Sequence, residues 1–349
     1  MYDIVFAKEK KIFVTTDIND ALAEAEANYQ IEAEPYALRD LTIDKEGTVN
    51  GCKVTEYGFN CLLKVLGIPV SYAKKIPREL LFTNIYSMQR DKAGTEVFVL
   101  SRPNEEIASV VKAPYDEITY SDVLAAFSDY PAIKKFTLAE ELLVITLSFE
   151  ELEVRGATGE DIFNVGIFAY NSILKATQLH VESGLYRDIC RNSYLLPIMG
   201  KVRAEYKEED HMQRLLRFAD NIRCYDTDVV NRLQLRFSSA FNDRSLLDDE
   251  VVKYWRSLSR VVGTADADKL VGIDEETRGD LVSTITKRTR RNKRNALLGK
   301  EITESMSTDI SAYKFMNGIT SFAQELKDIS AMIATEKIGG QIIQDLVLN

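Results

Sequence analysis

All seven prolines of this chain lie in its first 197 residues, and the last 152 contain none. Proline removes a backbone donor and clashes with the preceding helical turn, so a proline-free stretch of this length suits a mostly helical region. The apolar spacing agrees. Met212, Leu215, Leu216, Ala219 and Ile222 recur at helical intervals, as do Leu247, Val251, Tyr254, Trp255 and Leu258. Met316, Ile319, Ala323, Leu326 and Ile333 make a third stripe. Each stripe reads as a helix face packed on a core.

The proline-bearing part reads as mixed α and β. "DIVFAKEKKIFVTT" (3–16) has the alternation of a short hairpin, followed by a helix over 18–28 that Asp17 can cap. "VTEYGFNCLLKVLGIP" places Thr55 at a helix N-cap, an apolar face of Phe59, Leu62, Leu63 and Leu66, and stops at Gly67 and Pro69. "EVFVLSRPNEEIASVVKA" reads as two strands joined by a turn at 102–105, and "ELLVITLSF" and "DIFNVGIFAYNS" as further strands. The expected class is α+β, a mixed, strand-rich N-terminal core followed by a mostly helical C-terminal part. The expected divisions are an N-terminal hairpin and helix (1–34), an α+β core (35–200) and a helical region (201–349) with a basic segment at 286–295. The stretch "GTADADKLVGIDEETRGD" (263–280) looks the most loop-like.

Chemistry is thinly marked. The sequence has no GxxxxGK[ST], HExxH or GxSxG motif. Cys52, Cys61, Cys190 and Cys224 form no CxxC pair, and neither His180 nor His211 stands at ligand spacing from a cysteine, so no metal or other cofactor is expected. Asp266 and Asp268 read as a solvated loop pair and His180 as a structural histidine. No apolar run approaches the roughly 18 residues of a membrane span, and charges interrupt the N-terminal apolar stretch. A cytoplasmic protein with no membrane partner and no catalytic residues is the expectation.

Charge is the exception. Within a chain of net charge −10, "TKRTRRNKRN" (286–295) carries Lys287, Arg288, Arg290, Arg291, Lys293 and Arg294, with no acid between Asp280 and Glu301. On a helix, Lys287, Arg290, Arg291 and Arg294 share one face, with Arg288, Asn292 and Asn295 in a row beside them. Four like charges on one face repel, and a phosphate backbone supplies the missing counter-charge. The alternative is that the run docks on an acidic protein surface, its own or a second copy's. A second group, Asn171, Arg187, Arg191 and Asn192 with Tyr170, Tyr186 and Tyr194 nearby, suits phosphate contacts and base stacking. Those same residues equally suit hydrogen bonds between neighbouring turns.

Three stretches resemble the phage- and plasmid-like proteins grouped as domain of unknown function 932. They are "TEYGFNCLLKVLGIPVSYAKKIP" (55–77), "GIFAYNSILKATQLHVESGLYRDICRNSY" (166–194) and "YKFMNGITSFAQELKD" (313–328) with Gly339-Gly340 after it. The middle stretch carries Arg187-x-x-Cys190-Arg191-Asn192, similar to that family's Arg-x-x-Cys-x-Asn element. It departs at Ile173-Leu174, where the family has Glu-Gly. The resemblance implies a bacteriophage or mobile-element origin and a host bacterial cytoplasm, with no agreed activity. The combined expectation is a phage-type nucleic-acid-binding protein without catalytic activity. It would bind single-stranded DNA or RNA in replication, recombination or host takeover, through Lys287, Arg288, Arg290, Arg291, Lys293, Arg294, Arg187, Arg191 and Asn192. The other expectation is a structural or interaction protein whose basic segment mediates self-assembly into a homo-oligomer or docking on a partner.

Overall fold

Local capping chemistry decides where the first helices begin and end. Asp17 is extended, and its carboxylate accepts hydrogen bonds from the amides of Asn19 and Asp20, so α1 runs Ile18–Asn28. Thr55 accepts from the Gly58 amide at the head of α2 (Glu56–Leu66), and Gly67, at φ 79°, closes that helix in the left-handed region. Phe59, Leu62, Leu63 and Leu66 are fully buried.

The computed structural model describes residues 4–8, 11–115, 118–128, 130, 133–155, 162–187, 192–195, 201–203, 217, 244–273, 275–326 and 328–345. The fold is α+β, strand-rich in its N-terminal part and mostly helical in its C-terminal part. Two compact units share the chain: Met1–Thr146, Ala169–His180 and Arg203–Leu216 form the first, and Leu147–Phe168, Val181–Val202 and Arg217–Asn349 the second.

In the first unit β2 (Glu32–Ala37), β3 (Glu96–Ser101) and β4 (Ile107–Lys112) form an antiparallel sheet. The 102–105 turn is closed by the Arg102 amide donating to Glu106 O. Helix α2 packs on β4, and the buried Thr55 hydroxyl donates to Ala108 O at 3.0 Å. Short α3 (Val70–Ala73) and α4 (Arg78–Asp91) complete a core that joins Leu62, Phe82 and Ile85 to Val97 and Val110. The close approach of α2 to β4 depends on Gly58, where an added Cβ would lie 2.8 Å from Ala108 O, a backbone atom that cannot turn aside. Gly58→Ala is therefore expected to destabilise by about 1–3 kcal/mol, as overpacking of well-packed cores does. A lowered urea midpoint reads it.

The hairpin expected over 3–16 is corrected: its described residues pair with distant segments. Ala7 bridges Thr55, and β1 (Phe13–Thr15) pairs antiparallel with β5 (Ile133–Leu138). Alternation specifies an extended half-buried chain but not which strand lies beside it. Between them in sequence, α5 (Tyr120–Phe127) starts at a capping box in which Thr119 and Asp122 satisfy each other's amides. Nearby, Arg102 is buried with its charge neutralised. Its Nε donates to Glu140 Oε1 at 2.7 Å, Nη1 to Glu106 Oε2 at 2.6 Å and to Lys8 O at 3.0 Å, and Nη2 to Glu140.

The two β-branched stretches read as strands become β6 (Leu143–Arg155) and β7 (Ile162–Asn171). With β8 (His180–Arg187), β9 (Asn192–Leu195) and β10 (Lys201–Arg203) they continue a sheet ordered β1-β5-β6-β7-β8-β10, with β9 also paired to β8.

The second unit carries the remaining helices. β11 (Ser245–Leu247) leads into α6 (Asp248–Val261), whose Val251, Tyr254 and Leu258 are buried. The Met316–Ile333 stripe divides between two helices, α9 (Ala312–Ala323) and α10 (Ile329–Ile343), the latter capped by Asp328. The stripe at Met212–Ile222 lies outside the described residues. The segment 263–280, expected as loop, is corrected to helix: α7 (Thr264–Val271) followed by the start of α8 (Glu275–Leu297). Gly263 and Gly272, at φ 87° and 72°, are the stops flanking a short helix and not signs of a loop. Strand β12 (Ser307–Ser311) returns to pair with β11.

Candidate nucleic-acid interface

Helix α8 spans 23 residues. Glu275 and Glu276 occupy its first turn and the cations its C-terminal half, each sign at the end that the helix dipole favours. The C-terminus closes in a Schellman motif. Gly299 is left-handed at φ 64°, the Lys300 amide donates to Asn295 O at 2.8 Å and the Gly299 amide to Ala296 O at 3.2 Å.

At about 100° per residue, the basic run divides into two faces. Lys287, Arg290, Arg291 and Arg294 fall within an arc of about 100°, with Lys293 to one side, and all five are exposed. Among the described residues, no carboxylate pairs with any of them. Ile285, Arg288, Asn292 and Asn295 lie on the opposite side, the side that packs. Ile285 and Arg288 are the buried residues of α8, and the helix packs against α6.

Arg288 is only 7% exposed. Its Nη1 donates to Asp248 Oδ2 at 2.6 Å and its Nη2 to Asp248 Oδ1 at 3.0 Å, and Nη2 also pairs with Asp249. Burial pushes the Asp248 carboxyl up. The hydrogen bonds from Arg288, a bond from Asp249 and the guanidinium charge outweigh that, and the net shift is downward. Those same bonds hold the Arg288 guanidinium above its ordinary value. Both carboxylates stand in the first turn of α6, where the helix dipole favours negative charge. Asn292 and Asn295 are also occupied. Asn292 donates to Thr303 O and accepts from the Thr303 amide, each at 3.0 Å, and Asn295 donates to Glu301 O at 3.0 Å. They hold the following loop against the helix.

The sequence-predicted site residues are thus separated. Five cations of the run share the outer side of α8, while Arg288 forms part of the helix-to-helix joint. The backbones of Arg187 and Asn192 pair in register on β8 and β9, and β9 lies beside α9 and α10. Arg191 lies outside the described residues. Asn171 is buried and its side-chain amide donates to Ile118 O at 2.8 Å, tying two segments together. Tyr170 and Tyr186 are buried, which removes both as open stacking platforms. His180 is buried too, its ring 4.7 Å from that of Tyr170 and its Nδ1 2.6 Å from Gln178 O.

Asp266 pairs with Lys269 at 3.4 Å, and Asp268 accepts from Trp255 Nε1 at 2.8 Å and pairs with Arg278. Among the described residues no three His, Cys, Asp or Glu side chains gather as metal ligands. No described helix is long and apolar enough to cross a membrane. A cavity of about 360 Å3 in the first unit is lined by Glu26, Tyr29, Thr119 and Tyr120, among others. Its tyrosines are engaged, Tyr29 OH donating to Leu138 O and Tyr120 OH to Ala139 O.

The helical row of Asn292 and Asn295 with Arg288 was the available signal that Arg288 differs from its neighbours. A cation aligned with two short amides marks a side that makes specific bonds. No family model, no curated protein and no solved structure matches this chain.

Proposed function

We propose that this protein binds nucleic acid through the outer side of α8 and has no catalytic activity of its own. It would act in the phage or mobile-element setting that its resemblance to domain of unknown function 932 implies, within a host bacterial cytoplasm. One observation carries the reading: five exposed cations on one helix, with no carboxylate partner among the described residues, in a chain of net charge −10. Three of the five are arginines, whose planar fork engages phosphate oxygens two at a time. Like charges so placed repel each other, and a polyanion turns that repulsion into attraction.

A fluorescence-anisotropy titration of the full chain with a labelled oligonucleotide at 50 and 200 mM salt tests this. The expected result is saturable binding at the lower salt that weakens steeply at the higher. An oligonucleotide that stays free at low salt overturns the proposal.

Arg288 favours a second reading. It has already found its anion on the chain's own Asp248 and Asp249, so the remaining cations have a precedent for docking on protein carboxylates. In that case the basic face joins copies of this chain, and light scattering finds a mass that falls as salt is raised.

A further inference from the structure

The cationic row does not end in solvent-facing polar residues. Leu297 and Leu298 follow it at i+3 and i+4 from Arg294, and they are 88% and 56% exposed. On the same helical projection they lie about 80° and 20° to either side of the Lys287 direction, in line with Arg290, Arg291 and Arg294. The side of α8 that packs on α6 is the opposite one, so these leucines are not the frayed edge of that core. Their positions are also fixed. The Schellman closure at Gly299 holds the backbone of both, and the Leu298 amide donates to Arg294 O at 3.2 Å. The next segment is bonded to Asn292 and Asn295 and still leaves Ile302 and Met306 exposed, at 56% and 70%.

A row of four cations ending in two ordered, exposed leucines calls for a ligand that is anionic along a line and apolar at its end. Resting on the nucleic-acid reading above, we infer that Leu297 and Leu298 contact the faces of unstacked bases, so that the site selects single-stranded nucleic acid over duplex. In a duplex the base faces are stacked on one another, and a leucine following the phosphate row would meet only sugar and phosphate. In a single strand the faces are open, and apolar contact with them is favourable whatever the base. Apolar side chains, leucine among them, also wedge between the base steps of bent duplexes, but only at the cost of unstacking them, which an open single strand does not incur. An anionic lipid surface fits less well. A helix lying on a membrane presents an apolar face along its length, whereas the apolar side of α8 is turned to α6 and only its C-terminal end is bare.

The experiment compares a labelled single strand with the matching duplex, using the full-length protein and a Leu297→Ala, Leu298→Ala variant. Both side chains are exposed, so the urea midpoint should not move. Single-strand affinity is expected to fall about ten-fold in the variant, in the range expected for losing partly buried leucine contacts. Duplex affinity and the salt slope should stay as they were, since no charge is removed. A direct readout comes from Leu297→Trp, whose fluorescence should be quenched by the single strand and not by the duplex. Equal losses for both ligands, unchanged single-strand affinity or an unquenched Trp would each overturn the inference while leaving nucleic-acid binding standing. So would leucine-dependent binding to vesicles containing phosphatidylserine that a single strand does not displace. Absence of any oligonucleotide binding at low salt sinks the functional reading itself, and the base contact with it.

Discussion

Arg288→Ala is expected to destabilise the second unit by about 3–5 kcal/mol, the range for removing one partner of a buried ion pair. The variant leaves the Asp248 carboxylate buried beside Asp249 with its guanidinium gone. Two weaker bonds remain to it, from the Asp249 amide at 3.0 Å and the Met306 amide at 3.2 Å. They reduce the penalty but cannot offset a buried charge. Urea unfolding followed by tryptophan fluorescence reads the loss directly, because Trp255 sits on α6 itself. Replacing the pair together, Asp248→Leu with Arg288→Met, should recover much of the loss, since an apolar pair leaves no unpaired charge behind. A single variant as stable as the parent would mean that the joint between α6 and α8 lies elsewhere.

The same pair sets an acid limit. The folded Asp248 carboxyl lies below its ordinary value of 3.8, so its contribution to stability is present above that pH and is lost as pH falls through the folded value. Acid titration of the parent should therefore show part of its loss of stability below about pH 4, and Asp248→Asn should lack that part.

What the sequence disclosed of this fold depended on how far each interaction reaches along the chain. Asp17, Thr55 and Gly67 were readable because a cap satisfies amides or carbonyls within about four residues of itself. The extended character of 3–16 was readable for the same local reason, but its partners, Thr55 and 136–138, were not. Gly263 and Gly272 misled because a glycine that ends one short helix and precedes the next resembles a glycine in a loop. The basic helix itself was legible in its spacing. Its division into an outer and an inner side was not, because the acids that claim Arg288 lie 39 and 40 residues earlier in sequence. The exposure of Leu297 and Leu298 is not legible in the sequence for a related reason. Two leucines at a helix end ordinarily pack, and only their exposure shows that here they do not.

That division predicts opposite results from neighbouring substitutions. Changing Lys287, Arg290, Arg291, Lys293 and Arg294 together to alanine should leave the fold as stable as the parent or slightly more so. It relieves like-charge repulsion of about 0.2–0.5 kcal/mol per i, i+4 pair, which offsets the lost attraction of the last-turn cation to the helix dipole, and it breaks no ion pair among the described residues. Nucleic-acid binding should nearly vanish. If all five cations meet phosphates of a single strand, log affinity against log salt has a slope of about −3.5, which is roughly a hundred-fold loss between 50 and 200 mM. The variant should lose at least that much affinity at 50 mM, and what remains should be nearly independent of salt. Arg288 adds nothing to this slope because it is committed to Asp248, so six cations in the sequence should act as five. A slope that calls for six phosphates, or a five-alanine variant that binds like the parent, would show that the outer side of α8 is not where the polyanion lies.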